Sequence, residues 1–213
     1  MLPLLLPLFL YINQSTSDQC PFITRATNSN INISIDDLLQ YNRTCGVSES
    51  SPSPKSEWMN IREFIDNDVY HNKSKLEVYL NPPKILWGPS DRNHYMEYQR
   101  CIPLEVSKSF GCKHRMPLMF GLGGKYAGLP FHYHIQVYNQ LLYGEKVWYL
   151  FPSGHQPPAG GTNLESIRRM IRSGATPIVC VQKAGDVMYV PNGYWHATVN
   201  RKVSASVGCS SSS

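Results

Sequence analysis

The stretch FHYHIQVYNQ (Phe131–Gln140) carries two histidines two positions apart in a run of β-branched and aromatic residues. Side chains alternate across a strand. An extended reading therefore puts His132, His134, Gln136 and Tyr138 on one face and Phe131, Tyr133, Ile135 and Val137 on the other. The second face is apolar and belongs to packing. The first is polar, and inside a β-structure it is costly unless its groups bond to one another, to water or to a metal ion. Two imidazoles at this spacing can reach one ion, so the reading turns on what surrounds the run and on whether a third ligand follows.

Outward from it, PLMFGLGG (from Pro117), EKVWYLFP, TPIVCVQ, GDVMYVP and YWHATV are short β-rich runs separated by Gly, Pro and Asn. This spacing predicts an antiparallel sandwich or barrel, not a βαβ sheet. One helix interrupts it. TNLESIRRMIRSG opens with a capping box of Thr162 and Glu165, aligns Leu164, Ile167 and Ile171, and stops at Gly174. In GDVMYVPNGYWHATV, Gly185-Asp186 and PNG read as turns around two strands, and His196 shares its face with Tyr194 and Thr198. In a jelly roll this late strand lies across the barrel from the earlier one, which makes His196 the third candidate ligand. Three imidazoles suit Fe(II), Ni(II), Cu(II) or Zn(II) and leave positions open for water or substrate. The competing reading is three core histidines satisfied by hydrogen bonds. His71, His94, His114 and His155 stand in polar loop contexts, and Gly121–Gly124, with no helix after it, reads as a bend between strands.

At 213 residues, with 42% hydrophobic and 16% charged residues, the chain is long and apolar enough for one folded domain with an extension. The net charge of +5 is scattered, densest at Arg168, Arg169 and Arg172, and argues against a nucleic-acid surface. MLPLLLPLFLYI followed by NQSTSDQ has the outline of a secretory signal peptide, taken as residues 1–17, and is too short to span a bilayer. It lacks a basic n-region, and Pro3 and Pro7 should interrupt a helix; a buried N-terminal strand or an uncleaved anchor is the alternative. Glycosylation sequons stand at Asn32, Asn42 and Asn72, beyond another at Asn13, within the residues taken as the signal peptide. The six cysteines form no C-x₂-C pair, so disulfides are expected rather than zinc. Proximity along the chain pairs Cys20 with Cys45 and Cys101 with Cys112. These features predict a protein of the endoplasmic reticulum lumen or a secreted one, with no stable membrane span.

Residues 18–107 read as an N-terminal flanking region. It holds a helix capped by Ser34 and carrying Leu38 and Leu39, and the Ser/Pro-rich loop Ser48–Ser56. An amphipathic helix through Trp58, Ile61, Phe64 and Ile65 follows, then a strand at KLEVYL. The core spans 108–207, and 208–213 reads as a disordered tail.

FHYH, GEKVWYLFP and GDVMYVPNGYWHATVN, with MFGLGG ahead of them, together resemble the Jumonji-C (JmjC) domain family of the cupin superfamily. The likeness is strongest over Pro117–Val203 and extends thinly to WGPSDRNHYMEY. It implies a mainly β fold, a double-stranded β-helix (jelly roll) with a few flanking helices. It also implies Fe(II) held by His-x-Asp/Glu and a distant His, with 2-oxoglutarate as co-substrate. By this resemblance His132 matches the first ligand and His196 the last, while His134 stands where the relatives keep a carboxylate. The imidazole removes one negative charge from the ligand set. That should weaken 2-oxoglutarate-supported oxygen activation without abolishing metal binding, and Zn(II) is a further candidate. Lys146 matches the family's cofactor-binding lysine, on a face expected to include Leu142 and Trp148, where a charge-assisted bond to carboxylate is strong; a snorkelling surface lysine is the alternative. Tyr126, Tyr138 and Tyr194 are further candidate pocket donors. The implied functions are an Fe(II)/2-oxoglutarate-dependent protein hydroxylase, a non-catalytic relative acting through protein partners or as a homo-oligomer, or a three-histidine metal cupin that does without 2-oxoglutarate.

Overall fold

The β-rich run that begins near Pro117 forms the body of the molecule. The computed structural model describes residues 2–14, 20–25, 44–48, 56–70, 85–86 and 119–210. In chain order the elements are α1 (Leu2–Gln14), β1 (Ile23–Arg25), β2 (Thr44–Ser48), β3 (Ser56–Asn60), α2 (Ile61–Phe64) running into a π-helical turn (Ile65–Val69), β4 (Ile85–Leu86), β5 (Met119–Gly123) and β6 (Val137–Tyr143). They continue as β7 (Glu145–Phe151), α3 (Asn163–Arg172), β8 (Ile178–Lys183), β9 (Asp186–Val190), β10 (Trp195–Asn200) and β11 (Ser204–Ser210). One sheet has the order β1-β9-β6-β11-β5-β4-β2-β3 and the other β10-β7-β8. Every pairing is antiparallel, the jelly-roll architecture expected of a cupin.

Period-two alternation gives the small sheet two different faces. Val147, Tyr149, Phe151, Ala197 and Val199 pack with Leu164, Ile167 and Met170 of α3 and Leu8, Phe9 and Ile12 of α1 in one buried cluster. On the other face Trp148, Leu150 and Cys180 meet Met188 and Val190 of β9. The capping box of α3 forms as expected: Glu165 N–H donates to Thr162 Oγ1 at 3.3 Å, and Thr162 N–H to Glu165 Oε2 at 2.9 Å. Gly174, at φ 69°, takes the left-handed conformation that ends it.

Several expectations are corrected. Strand β6 begins only at Val137, so the alternation drawn through His132, His134 and Tyr138 breaks before Tyr138. Trp58 lies in β3 and the helical run starts only at Ile61, so the expected stripe loses its first residue, while Phe64 and Ile65 are buried as expected. Gly121–Gly123 belong to β5, and the bend follows at Gly124, whose carbonyl accepts from Ala127 N–H. The tail expected from 208 is still strand: Gly208, Cys209 and Ser210 pair with Asn139, Tyr138 and Val137. The first residues form a helix that passes through Pro7.

Cys20 is bonded to Cys180, not Cys45, with a Cα–Cα distance of 5.2 Å. Sheet order supplies the reason. β1 is hydrogen-bonded to β9, whereas five strands (β9, β6, β11, β5 and β4) separate it from β2, which carries Cys45. The Ser34-capped helix, the KLEVYL strand, Asn32, Asn42, Asn72, Cys101, Cys112, His71, His94, His114 and the last three serines lie outside the described residues. No helix among the described residues is long and apolar enough to cross a membrane.

Candidate metal centre

His132 and His196 meet through an isolated antiparallel bridge. His132 N–H donates to His196 O at 3.1 Å, and His196 N–H to His132 O at 2.8 Å. His134 is tied to the turn before β10, where Gly193 N–H donates to its carbonyl at 3.1 Å. Gly193 has φ 74°, a conformation glycine adopts without a Cβ penalty. One imidazole nitrogen from each of the three histidines lies within 4.8 Å of one from each of the others. Their ring centroids are 4.2, 4.7 and 5.3 Å apart.

The backbone also sets which nitrogen is free. Nδ1 of His132 lies 2.8 Å from Pro130 O, that of His134 2.6 Å from Ile135 O, and that of His196 3.0 Å from Tyr194 O. A carbonyl only accepts, so each Nδ1 carries the proton and each Nε2 keeps the lone pair a metal needs. Burial pushes His132 down to about 4, aided by the neighbouring His134 and opposed by its bond to Pro130. His196 is held well below the usual histidine range, first by burial and then by the other two imidazoles. At neutral pH both are uncharged, as ligation requires. Three imidazole nitrogen donors fit Fe(II) or Zn(II). His196 is buried while His132 and His134 are half-buried, so the cluster opens to solvent on their side.

Lys146 belongs to the same interior. It lies on β7 four residues before Leu150, the register partner of His196, and so on the same face about 13 Å along the strand. It is 5% exposed, which rules out a surface lysine. Nζ donates to Ser206 Oγ of β11 at 3.0 Å and sits 5.7 Å from the Trp148 ring. Burial lowers its pKa to about 8. Leu142 is not on its face, because the turn at Gly144 (φ 88°) puts Leu142 on a separate strand. Between lysine and histidines stands Trp148, its ring centroid 6.0 Å from that of His196. Trp148 Nε1 donates to Gln182 Oε1 at 2.8 Å, and Gln182 Nε2 donates to Asn139 O and Asp186 O. Asn139 Oδ1 and Asn200 Oδ1 are buried without a hydrogen-bond partner, and Asn200 is the register partner of Lys146. Among the described residues the ammonium meets only neutral polar groups and the Trp148 ring, a setting that fits one carboxylate.

The three tyrosines separate. Tyr126, at φ 71°, is buried on the opposite side of the small sheet, its ring 4.8 Å from Phe9. Tyr138 is 40% exposed and pairs with the Tyr189 ring at 5.0 Å, because the strand starts after the histidines and turns it outward. Neither reaches the interior. Tyr194 packs against the inner cluster and supplies the carbonyl that orients His196. Sequence reasoning missed Ser206, Gln182 and Asn200. The alternation of β7 points to Trp148 and Lys146 on one face, but nothing in the chain around Ser206 marks it as the partner of a lysine 60 residues before it.

The family model described as JmjC domain matches residues 105–213, just over half of the chain. Among curated proteins the chain is 37% identical over 86 residues to JmjC domain-containing protein 8 of Homo sapiens, covering 38% of this chain and 33% of that protein. It is 29% identical over 155 residues to the bifunctional arginine demethylase and lysyl-hydroxylase psr-1 of Caenorhabditis briggsae, covering 62% and 35%. The matches thus span about a third of these relatives' length. Among solved structures, the Escherichia coli ribosomal oxygenase YcfD with cobalt and 2-oxoglutarate gives a TM-score of 0.49 at 13% identity, covering 90% of this chain and 48% of that one. On the family match over its β-barrel half, the chain belongs to the JmjC domain family.

Proposed function

We propose that the chain is an iron- and 2-oxoglutarate-dependent oxygenase acting on protein side chains in the secretory pathway. The observation that carries this reading is Lys146, a cation buried beside Ser206 on the same barrel face as His196. Among the described residues no carboxylate pairs with this ammonium, and a buried unpaired cation is expensive, so its retention points to an anionic ligand. His132, His134 and His196 hold the metal through Nε2. Lys146 binds the far carboxylate of 2-oxoglutarate, and Trp148, fixed by Gln182, forms the wall between them. Bound Fe(II) and 2-oxoglutarate supply the activation of dioxygen, and the barrel excludes water from the interior. The demethylase and hydroxylase named among the relatives support a protein substrate.

His134 favours a second reading, a three-histidine metal protein that works without 2-oxoglutarate or through protein partners. A third imidazole in place of a carboxylate leaves the metal with one more positive charge. One experiment separates the two. The protein is purified anaerobically, bound metal is quantified, and 2-oxoglutarate is titrated into wild type and Lys146→Ala. Turnover of 2-oxoglutarate that His132→Ala abolishes supports the oxygenase. Metal without 2-oxoglutarate binding supports the second reading, and neither metal nor 2-oxoglutarate binding overturns both. The Cys20–Cys180 disulfide supports an oxidising compartment. Glycans on Asn32, Asn42 or Asn72 would appear as an endoglycosidase mobility shift, and its absence counts against lumenal exposure.

A further inference from the structure

Both ends of the Cys20–Cys180 bond lead to His196. Cys180 lies on β8 directly opposite Trp148, whose ring approaches His196 to 6.0 Å. Cys20 starts the short segment that becomes β1, and Cys20, Phe22 and Ile23 pack against the cluster of Trp148, Leu150, Cys180, Met188 and Val190. The Phe22 ring sits edge-on to Tyr194 at 5.6 Å, and Tyr194 O accepts the Nδ1 proton of His196 at 3.0 Å. Tyr189 N–H donates to Phe22 O at 2.8 Å, and the three residues of β1 pair with β9. Among the described residues, this arm is held apart from the disulfide by a three-residue strand and a few partly buried side chains, and so short a strand is a weak tether alone.

We infer that the disulfide-tethered arm Cys20–Arg25 is a positioning element for the metal centre, so that the affinity of the three histidines for a divalent metal depends on the Cys20–Cys180 bond. The arm presses on the wall of His196 from two directions, through Phe22 on Tyr194 and through Cys180 on Trp148. Breaking the bond frees it, and the carbonyl that orients the His196 ring loses its support. Groups that orient a metal-binding histidine typically contribute 10–100-fold to metal affinity. The inference rests on the metal reading above and adds a redox dependence to it. A water-soluble phosphine reduces the bond: its phosphorus takes the oxygen of one water, the two sulfurs take its hydrogens, and the products are a phosphine oxide and two thiols.

Co(II) alone serves as the probe, titrated anaerobically by visible absorption into four forms of the full chain: oxidised, phosphine-reduced, Cys20→Ala/Cys180→Ala, and Phe22→Ala with the bond intact. Near-ultraviolet circular dichroism follows the fold of each. The expected result is a Kd about tenfold higher in the reduced and double-alanine forms, and a smaller rise in Phe22→Ala. The double variant has no thiols at this position to bind cobalt themselves, and if it fails to fold, Phe22→Ala decides. Equal affinity in all folded forms overturns the inference and leaves the metal reading standing. No cobalt binding in any form overturns both.

Discussion

On β7, Val147, Tyr149 and Phe151 face α1 and α3, whereas Lys146, Trp148 and Leu150 face the opposing sheet. The strands are the same and the two surfaces follow opposite rules. The helix-covered face is apolar, with Val147, Tyr149, Ala197 and Val199 fully buried. The interior face carries Lys146, Gln182, Thr198, Asn200 and His196, also buried, and depends on specific bonds such as Trp148 to Gln182 and Lys146 to Ser206. One face supplies stability through area removed from water. The other gives some of that up to hold polar groups where a ligand can meet them.

Substitutions on the two faces should therefore separate stability from binding. His196→Ala should have the largest effect, removing stoichiometric Co(II) binding with little loss of thermal stability; unchanged cobalt stoichiometry would show that the three histidines are not the site. Ile167→Ala on the helix-covered side should cost about 2–5 kcal/mol in urea unfolding and leave the cobalt affinity of the folded protein unchanged. Lys146→Met should divide the two quantities within one residue. The buried cation is gone, so the melting temperature of the ligand-free protein rises, while calorimetry detects no 2-oxoglutarate binding. A lower melting temperature would mean that the Ser206 bond outweighs the desolvation of the ammonium.

The histidines also predict a pH dependence for the metal-free protein. His132 is depressed in the folded state, from the ordinary 6.5 to about 4. Between those values the unfolded chain binds more protons than the folded one, so stability falls as pH drops through that window and levels off below it. Unfolding midpoints at pH 7, 5.5 and 4.5 should decline in that order, and His132→Gln should flatten the slope. The smallest effect is expected at the helix cap, where Thr162→Ala should cost about 1 kcal/mol without altering cobalt binding.

What could be read in advance follows from range. The strands from β5 to β10, the capping box of α3 and the three histidines were legible because each depends on spacing within a few residues or on a residue type with few alternative uses. Strand β11 was not. From Gly208 it reads as a disordered tail, yet the strand runs on to Ser210, and Ala205, Ser206 and Val207 are at most 1% exposed because β5 and β6 flank it. Tyr138 falls on the other side from the histidines because the start of a strand is set by its partner, and one residue of slip exchanges the faces.

The sequence by itself determined the mainly β class, the family likeness and which three histidines and which lysine to examine, because alternation, turn chemistry and imidazole donors are properties of short stretches. Only the tertiary structure decided that Cys20 joins Cys180, that Ser206 bonds Lys146, and that Tyr194 serves through its carbonyl while Tyr126 and Tyr138 lie elsewhere. Those partners are 160, 60 and 2 residues apart. The two distant pairs are set by the order in which strands pair, which no local pattern encodes. The near one depends on the orientation of a single imidazole ring, which spacing along a strand does not specify.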